Sequence, residues 1–362
     1  MGAMVKNGIT RQQRVLETLR REIVAGKFPP GGQLPVQTKL TARFGVGSST
    51  IAQALAVLGR EGFVNSRRGA GCTVCLKPPH LNNIVVAVPN RHLVGSHWSN
   101  YYASVTRVVS ELRNETARPI LLFEELEERL SRSYLELEEL VRADRVAGIV
   151  FINPTKPLTG SLILEKPGIP RVAVSSYDDK RVGTRVEING SFIEKAVDCL
   201  VGCGRRDIAV LTSTAGWEEE HGRRIREALA SRNVNCPPRW RIPFNIETPM
   251  TVQNVVRLLM HGKDRPNGLI ITDDNLVEDA VAGLVAEGVK VPVDLEVVAH
   301  CNFPWPPLKT YPFRRLGPDV RGMLLACIDA IDKARRGEPA PGVIESPAIW
   351  ESDIPPALDA AS

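Results

Sequence analysis

Apolar positions near the start of the chain recur at helical spacing. Val15, Leu16, Leu19, Ile23 and Val24 form one stripe behind Thr10, a residue suited to cap a helix. This predicts a helix reaching about Ala25, stopped by Gly26 and the run Phe28-Pro29-Pro30-Gly31-Gly32. A second, short helix begins near Val36, with Leu40 and Phe44 one turn apart. Gly45-Val46-Gly47 makes a tight turn, and Ser48 or Ser49 opens a third helix with Ile51, Leu55 and Leu58 on its buried side. Two short helices around a glycine-containing turn are helix-turn-helix geometry, whose second helix enters a major groove. Phe63-Val64, the tip Arg67-Arg68-Gly69-Ala70-Gly71 and Cys72-Thr73-Val74-Cys75-Leu76 then read as a β-hairpin with a basic glycine tip.

Past Lys77-Pro78-Pro79-His80, a short stiff linker, the pattern changes. Short runs rich in Ile and Val, continuously apolar as strands buried on both faces should be, fall at 84–88, 120–123, 148–152, 172–175, 208–212, 268–272 and 295–300. Helical stretches lie between them near 99–114, 131–143, 190–201, 217–231, 249–261 and 275–287. This alternation predicts an α/β domain with parallel sheets, whose ligands bind at the carboxyl ends of the strands. Glu124, Glu125, Glu127 and Glu128 read as a solvated helix start.

Charge sharpens the division. The 362-residue chain carries a net +5, but residues 1–77 hold 12 Lys/Arg against 3 Asp/Glu, a net +9, and the rest holds 34 against 38. A small basic unit beside a mildly acidic one is the electrostatic footprint of a nucleic-acid-binding module. Hydrophobic residues make up 43% and charged residues 24%, with no apolar run long enough to cross a membrane, so a cytoplasmic location and no membrane partner are expected. Seven scattered cysteines fit reduced thiols better than a disulfide framework. Cys72 and Cys75 form a lone CxxC without further ligands nearby, so no metal is expected. No Gly-x-Gly-x-x-Gly follows a strand, and neither a P-loop nor a Gly-x-Ser-x-Gly elbow is present. The reading is therefore non-enzymatic, with no catalytic residues and no cofactor.

The segment LPVQTKLTARFGVGSSTIAQALAVLGREGFVNSRRGAGCTV, Leu34 to Val74, resembles the winged helix-turn-helix of GntR-type regulators across about the whole N-terminal unit. That family places Arg where this chain has Thr38, Ser48 and Ala52. The resemblance, with these departures, implies DNA contacts from Thr38, Lys39, Ser48, Ser49, Thr50 and Gln53. The wing adds Arg67, Arg68, Gly69 and Gly71. Ser and Thr suit phosphate, Gln suits adenine, and the wing arginines supply charge.

The larger part, about 83–352, is similar to the LacI-type sensor built on the periplasmic sugar-binding-protein fold. NNIVVAVPN, VAGIVFINP, IPRVAVSSYDD, CLVGCGRRDIAVLTS, YPFRRLGPDV and above all RPNGLIITDDNLVEDAVAGLVAEGVKVPVDLEVVAHCN carry the resemblance in order. It implies two Rossmann-like lobes with an effector cleft between them. By position, the cleft residues are Trp98, Tyr101, Tyr102, His221, Arg223, Asp273, Asp274 and Cys301. The family has Asp at Cys301 and Arg near His221 or Arg223, so the ligand class is open. Duller roles stand beside these: Asp273 and Asp274 as caps of a helix starting at Asn275, Trp98 and Tyr101 as core or interface aromatics, His221 as a surface helix residue. Phe303-Pro304-Trp305-Pro306-Pro307 reads as a lobe crossover or a rim loop, with Trp305 a candidate cover for the cleft.

The expected organisation is a winged unit at 9–77, a linker at 78–83 and a two-lobed sensor at 84–352. Lobe one covers about 84–185, lobe two about 187–300, and closing crossovers about 301–352. The expected function is a ligand-responsive transcriptional regulator, a repressor binding double-stranded operator DNA as a homodimer under a small polar, sugar-like effector. Two alternatives are a regulator whose second domain only dimerises and a small-molecule enzyme fused to a DNA-binding unit.

Overall fold

A computed structural model describes residues 10–67, 71–88, 93–94, 97–152, 155–175, 178–188, 190–212, 220–244, 250–304 and 311–354. The N-terminal unit is three helices and a hairpin. Helix α1 (Arg11–Val24) starts where Thr10 Oγ1 accepts from Gln13 N–H at 3.1 Å and buries Val15, Leu19 and Ile23. Helix α2 (Gln37–Phe44) ends at Gly45, whose φ of 62° lies in the left-handed region that glycine enters without strain. Helix α3 (Ser48–Arg60) follows at once and buries Ile51, Ala54 and Leu58. Strands β1 (Val64–Arg67) and β2 (Gly71–Val74) pair antiparallel with Arg67 opposite Gly71. Phe63, Leu34, Leu40 and Val74 complete this small core. The helix pattern and the wing are as the sequence predicts; Arg68 and Gly69 at the wing tip lie outside the described residues.

A four-residue turn of helix, α4 (Pro79–Asn82), leads into the larger part. In order follow β3 (Ile84–Val88), a short antiparallel pair β4 (Leu93–Val94) and β5 (His97–Trp98), α5 (Asn100–Glu115), β6 (Ile120–Glu124), α6 (Arg132–Arg142), β7 (Gly148–Phe151), α7 (Leu162–Glu165), β8 (Arg171–Val174) and β9 (Thr184–Ile188). The chain then crosses to a second sheet with α8 (Phe192–Gly202), β10 (Ile208–Thr212), α9 (Glu220–Ser231), β11 (Arg241–Pro243), α10 (Met250–His261), β12 (Gly268–Ile271), α11 (Val277–Ala286), β13 (Glu296–His300) and β14 (Arg314–Gly317). It returns through α12 (Val320–Arg336) and β15 (Val343–Ser346) and ends on β16 (Ile349–Trp350).

Lobe one is a parallel six-stranded sheet in the order β15-β9-β8-β7-β3-β6. Lobe two has the order β11-β10-β12-β13-β14-β16 and is parallel except for β16. Helices α5 and α12 bury one face of the first sheet, with Val105, Val109, Leu324 and Ile331 in the layer. Helices α6 and α7 cover the other face through Leu137, Val141 and Ile163. Strands β3, β7 and β12 are buried along their whole length, which is why their sequences are continuously apolar; β10 and β13 are equally buried but carry Thr212, Glu296 and His300 at their ends.

Two expectations need correction. The acidic run is not a helix start: Glu124 ends β6, Glu125 turns the chain at a φ of 58°, and α6 begins only at Arg132 behind its Ser131 cap. Lobe one is also assembled from more than one stretch. It keeps β9 to Ile188 and regains α12 and β15 from the end of the chain, so three crossovers join the lobes.

Candidate DNA-binding face and effector cleft

The outer face of α3 carries Ser48, Ser49, Ala52 and Gln53, all exposed, while Thr50 is half-buried. Gly47 gives α3 no side-chain cap, and Thr50 and Ile51 N–H donate to its C=O at 3.1 and 3.3 Å, which leaves the Ser48 and Ser49 N–H groups for an outside acceptor such as a phosphate. Gln37 was not singled out from the sequence, yet its Nε2 donates to Ser48 C=O at 2.7 Å and ties the start of α2 to the start of α3. Thr38 and Lys39 are exposed on α2 beside it. Two ion pairs set the frame. Arg43 forks onto Glu22 of α1 at 2.5 and 2.8 Å, and its guanidinium holds the Glu22 carboxyl down at about 2 despite partial burial. Arg20 Nη2 donates to both carboxylate oxygens of Glu61, just after α3, at 2.6 and 2.8 Å, with its guanidinium 5.9 Å from the centre of the Phe63 ring. Arg67 is exposed at the end of β1, facing Gly71, whose φ of 84° suits glycine alone. Cys72 and Cys75 are free half-buried thiols pushed up by burial. No group of three or more metal-ligating side chains occurs among the described residues.

The second surface lies where the lobes meet. Asp273, at the end of β12, turns its Oδ1 onto Asn275, accepting from the backbone N–H at 2.9 Å and from Nδ2 at 2.6 Å. That is capping geometry, and the carboxylate is only half-buried. Asp274 is 1% exposed, and its Oδ2 accepts from Asn302 N–H at 3.1 Å and Asn302 Nδ2 at 2.8 Å. Burial, together with the neighbouring Asp273 charge, pushes its pKa up to about 7 against the hydrogen bonds from Asn302 and Asn100. Asp274 therefore struts the loops after β12 and β13. From lobe one, Asn100 N–H donates to Asn275 Oδ1 at 2.9 Å and Asn100 Nδ2 to Asp274 C=O at 3.2 Å. Ser104 Oγ reaches Asn302 C=O at 3.4 Å. The first turn of α5 thus docks directly on the acidic loop of lobe two. Asn100, Ser104, Asn275 and Asn302 were missed in the sequence, where the only signal is polar residues just past a strand or at a helix start.

The remaining candidates are spread out. Tyr102 is buried in the lobe-one core with Tyr101 edge-on against it, ring centres 5.4 Å apart, and the Tyr101 hydroxyl faces Met323 Sδ at 3.9 Å. Cys301 is fully buried. A Cβ on Gly317 would lie 1.9 Å from its carbonyl oxygen, so the β13–β14 contact leaves no room beside it. Its thiol is pushed up by burial and the Asp274 charge. Arg223 is exposed on α9 and pairs with Glu227 at 2.6 Å. The Trp98 and His221 side chains and Trp305 lie outside the described residues. A separate cavity of about 730 Å³ opens on lobe one, lined by Thr155, Ser175, Asp179, Arg181, Arg185 and Gly342. None of the sequence-selected residues lines it.

A basic winged helix-turn-helix joined to a two-lobed α/β domain is the build of a DNA-binding transcriptional regulator. Residues 11–74 match the model of bacterial regulatory proteins of the gntR family, and residues 197–345 match a periplasmic binding protein-like domain. The chain joins these two domains. The arabinose metabolism transcriptional repressor of Geobacillus stearothermophilus is 23% identical over 295 residues, covering 78% of this chain and 79% of that protein. The HTH-type transcriptional repressor PurR of Aliivibrio fischeri is 28% identical over 147 residues, covering 38% of this chain and 44% of that one. Among solved structures, a LacI family regulatory protein from Chloroflexus aggregans superposes with a TM-score of 0.58 at 18% identity, over 74% of this chain and 96% of that one. The transcription regulator CcpA of Lactococcus lactis gives 0.55 at 18% identity, over 74% and 97%. These likenesses establish the fold of the two-lobed part. No helix among the described residues is long and apolar enough to cross a membrane.

Proposed function

We propose that this regulator is a homodimeric repressor whose paired winged units hold a roughly palindromic operator, and whose interlobe cleft takes a small polar, sugar-like effector. The observation that carries the reading is the pairing of two surfaces on one chain. One is the exposed α3 face beside the basic wing. The other is a set of polar groups on facing lobes, Asn100 against Asn275 and Asp274, at the carboxyl ends of β12 and β13. A ligand that binds one lobe arrangement better shifts the population of that arrangement, and with it the DNA affinity. The relative that covers 78% of this chain carries arabinose metabolism in its name, which agrees with a sugar-like effector. Of the proposed cleft residues, Asp273 is the one we place against ligand hydroxyls; Asp274 and Cys301 act from behind.

The test has two parts. Binding to DNA selected from random duplexes should weaken steeply with salt, because bound cations displace counterions. A thermal-shift screen against sugars, nucleosides and amino acids should then find a ligand whose shift disappears in Asp273→Ala. Binding without salt dependence counts against the DNA reading. A second reading, in which the two-lobed part only dimerises, draws on the direct Asn100–Asn275 contact between the lobes. No shift across the whole panel would favour it.

A further inference from the structure

The segment expected to be a linker is packed on both sides. Pro79 and His80 are buried, His80 to 4% exposure. Toward the winged unit, the His80 imidazole lies parallel to the Phe63 ring, with centres 5.7 Å apart and planes 13° apart. Pro79 packs under Gly62, where an added Cβ would meet its ring at 3.5 Å. Phe63 is itself fixed at the foot of the wing, its carbonyl accepting from Cys75 N–H at 2.9 Å. Toward lobe one, Ala147 N–H donates to Asn83 C=O at 2.7 Å, Asn83 Nδ2 to Arg145 C=O at 3.0 Å, and Arg118 Nε to Asn82 C=O at 2.8 Å. The same Arg118 pairs with Asp332 of α12 at 2.7 Å.

Helix α12 makes the floor of this seat. Its 17 residues span about 25 Å. It begins at the crossover out of lobe two, where Asp319 caps it through Gly322 N–H at 3.0 Å. It ends with Arg335 donating to Ala147 C=O at 2.5 Å and Val146 C=O at 3.1 Å. Burial and the Arg335 charge hold His80 neutral, down at about 4, with Asp144 opposing. His80 Nδ1 is buried without a hydrogen-bond partner, so packing and not polar bonding keeps the ring there. Elsewhere the facing surfaces are polar. A groove of about 710 Å³ separates Gln13, Glu17 and Arg21 of α1 from Glu139, Arg142 and Lys166 of lobe one.

We propose that His80 is a positioning residue that seats the DNA-binding unit on lobe one through Phe63, so that unit and lobe move as one body. In a dimer, half-site spacing is then set by the lobes. This part rests on the DNA-binding reading above. An unseated linker of roughly six residues would reach roughly 20 Å and tolerate several spacings. A seated turn allows few, because the helical phase of DNA repeats only every ~10 base pairs.

The full-length protein, His80→Ala and His80→Phe are compared by amide hydrogen exchange and by binding to duplexes carrying two selected half-sites at stepwise spacings. The seat predicts slow exchange in peptide 76–84 of the wild type, about ten-fold or more faster in His80→Ala, with the strands of both lobes unchanged. His80→Phe keeps the stack, removes the unpaired nitrogen and stays protected. Spacing preference should flatten in His80→Ala while affinity for an isolated half-site holds. Where His80→Ala fails to accumulate, His80→Gln, which removes the aromatic face alone, makes the same comparison. The proposal is overturned by wild-type exchange at unstructured-peptide rates in 76–84, or by His80→Ala retaining both protection and spacing profile. If the wild type selects no DNA, the DNA reading falls, and exchange alone decides whether the unit is seated.

Discussion

Gly148 opens β7 at the foot of lobe one, next to the two carbonyls that Arg335 holds. A Cβ there would stand 2.3 Å from Ile331 Cγ2 and 2.9 Å from both its Cγ1 and Cδ1. Ile331 is fully buried on α12, and a β-branched side chain in a helix has one strongly preferred χ1, so it has nowhere to swing. Gly148→Ala must therefore lift α12 from the sheet. Overpacking of this kind costs about 1–3 kcal/mol, less a few tenths to about 1 kcal/mol regained from the stiffer unfolded chain. Ile331→Ala alone leaves a cavity and costs about 2–5 kcal/mol. In the double variant the methyl group introduced at position 148 occupies space that Ile331 vacates, so the combined cost should fall short of the sum by at least about 1 kcal/mol. Urea unfolding of the four proteins, followed by circular dichroism, gives the midpoints and slopes. A neutral Gly148→Ala, or strictly additive costs, would refute the reasoning, because either means α12 does not press on β7 as described. Since α12 floors the His80 seat, Gly148→Ala should also speed exchange in peptide 76–84.

Other outcomes follow from the same geometry. Arg67→Ala with Arg68→Ala should weaken operator binding more than Gln53→Ala, and should flatten the log K against log salt slope by roughly 0.9 for each phosphate no longer neutralised; an unchanged slope removes the wing assignment. Gln53→Ala should instead relax base preference at one position, by about 1–3 kcal/mol of discrimination, which competition among single-base operator variants measures. His80, lowered from 6.5 to about 4 by burial and Arg335, takes a proton less readily folded than unfolded. The seat should be intact above pH 6.5 and loosen as pH falls toward 4, and the protection of peptide 76–84 relative to an unstructured peptide at the same pH should fall in that window for wild type but not for His80→Phe. Asp274, raised from 3.8 to about 7 by burial, has the opposite sign. Its contribution is fully present below pH 3.8 and is lost as pH rises through 7, so Asp274→Asn should flatten the pH dependence of unfolding over that range.

The parts of the fold that were plain in the sequence are those whose environment is uniform. Strands β3, β7, β10 and β12 are buried along their whole length, so nearly every position is apolar and the run announces itself. Strands β9 and β14 were hidden because their charges are answered by pairing. Arg185 pairs with Glu187 at 2.7 Å on one face of β9. In β14, Arg314 meets Glu296 at 2.6 Å and Arg315 meets Glu351 at 3.2 Å. A local pattern of charges reads as loop, and only the folded pairing turns it into strand. The cleft was half legible for a related reason. Asp273-Asp274 marks a strand end in any reading, but which carboxylate faces outward depends on Asn302, 28 residues further on. The segment read as a short stiff linker, and its packing was out of reach because nothing in Pro78-Pro79-His80 names Phe63 as its partner.

The composition of α3 now has a physical sense. Its exposed face at Ser48, Ser49 and Ala52 is small, so on the proposed reading the helix backbone can approach DNA closely and offer the Ser48 and Ser49 N–H groups. Such groups hold phosphate but carry no base information and little long-range attraction. Attraction then falls to the wing and to Lys39. Base choice falls to Gln53 and to whatever DNA shape lets the backbone in. Close approach also demands that α3 be held at a fixed angle, since a short N–H donor tolerates displacement far less than a long arginine does. Three features supply that hold: Gln37 on the Ser48 carbonyl, the Arg20–Glu61 pair behind the end of α3, and the His80 seat beneath Phe63. A recognition helix without arginine ahead of Arg60 and a DNA-binding unit fixed to its sensor are then one design, and Ser48→Arg should reduce the penalty that His80→Ala imposes on paired half-site binding.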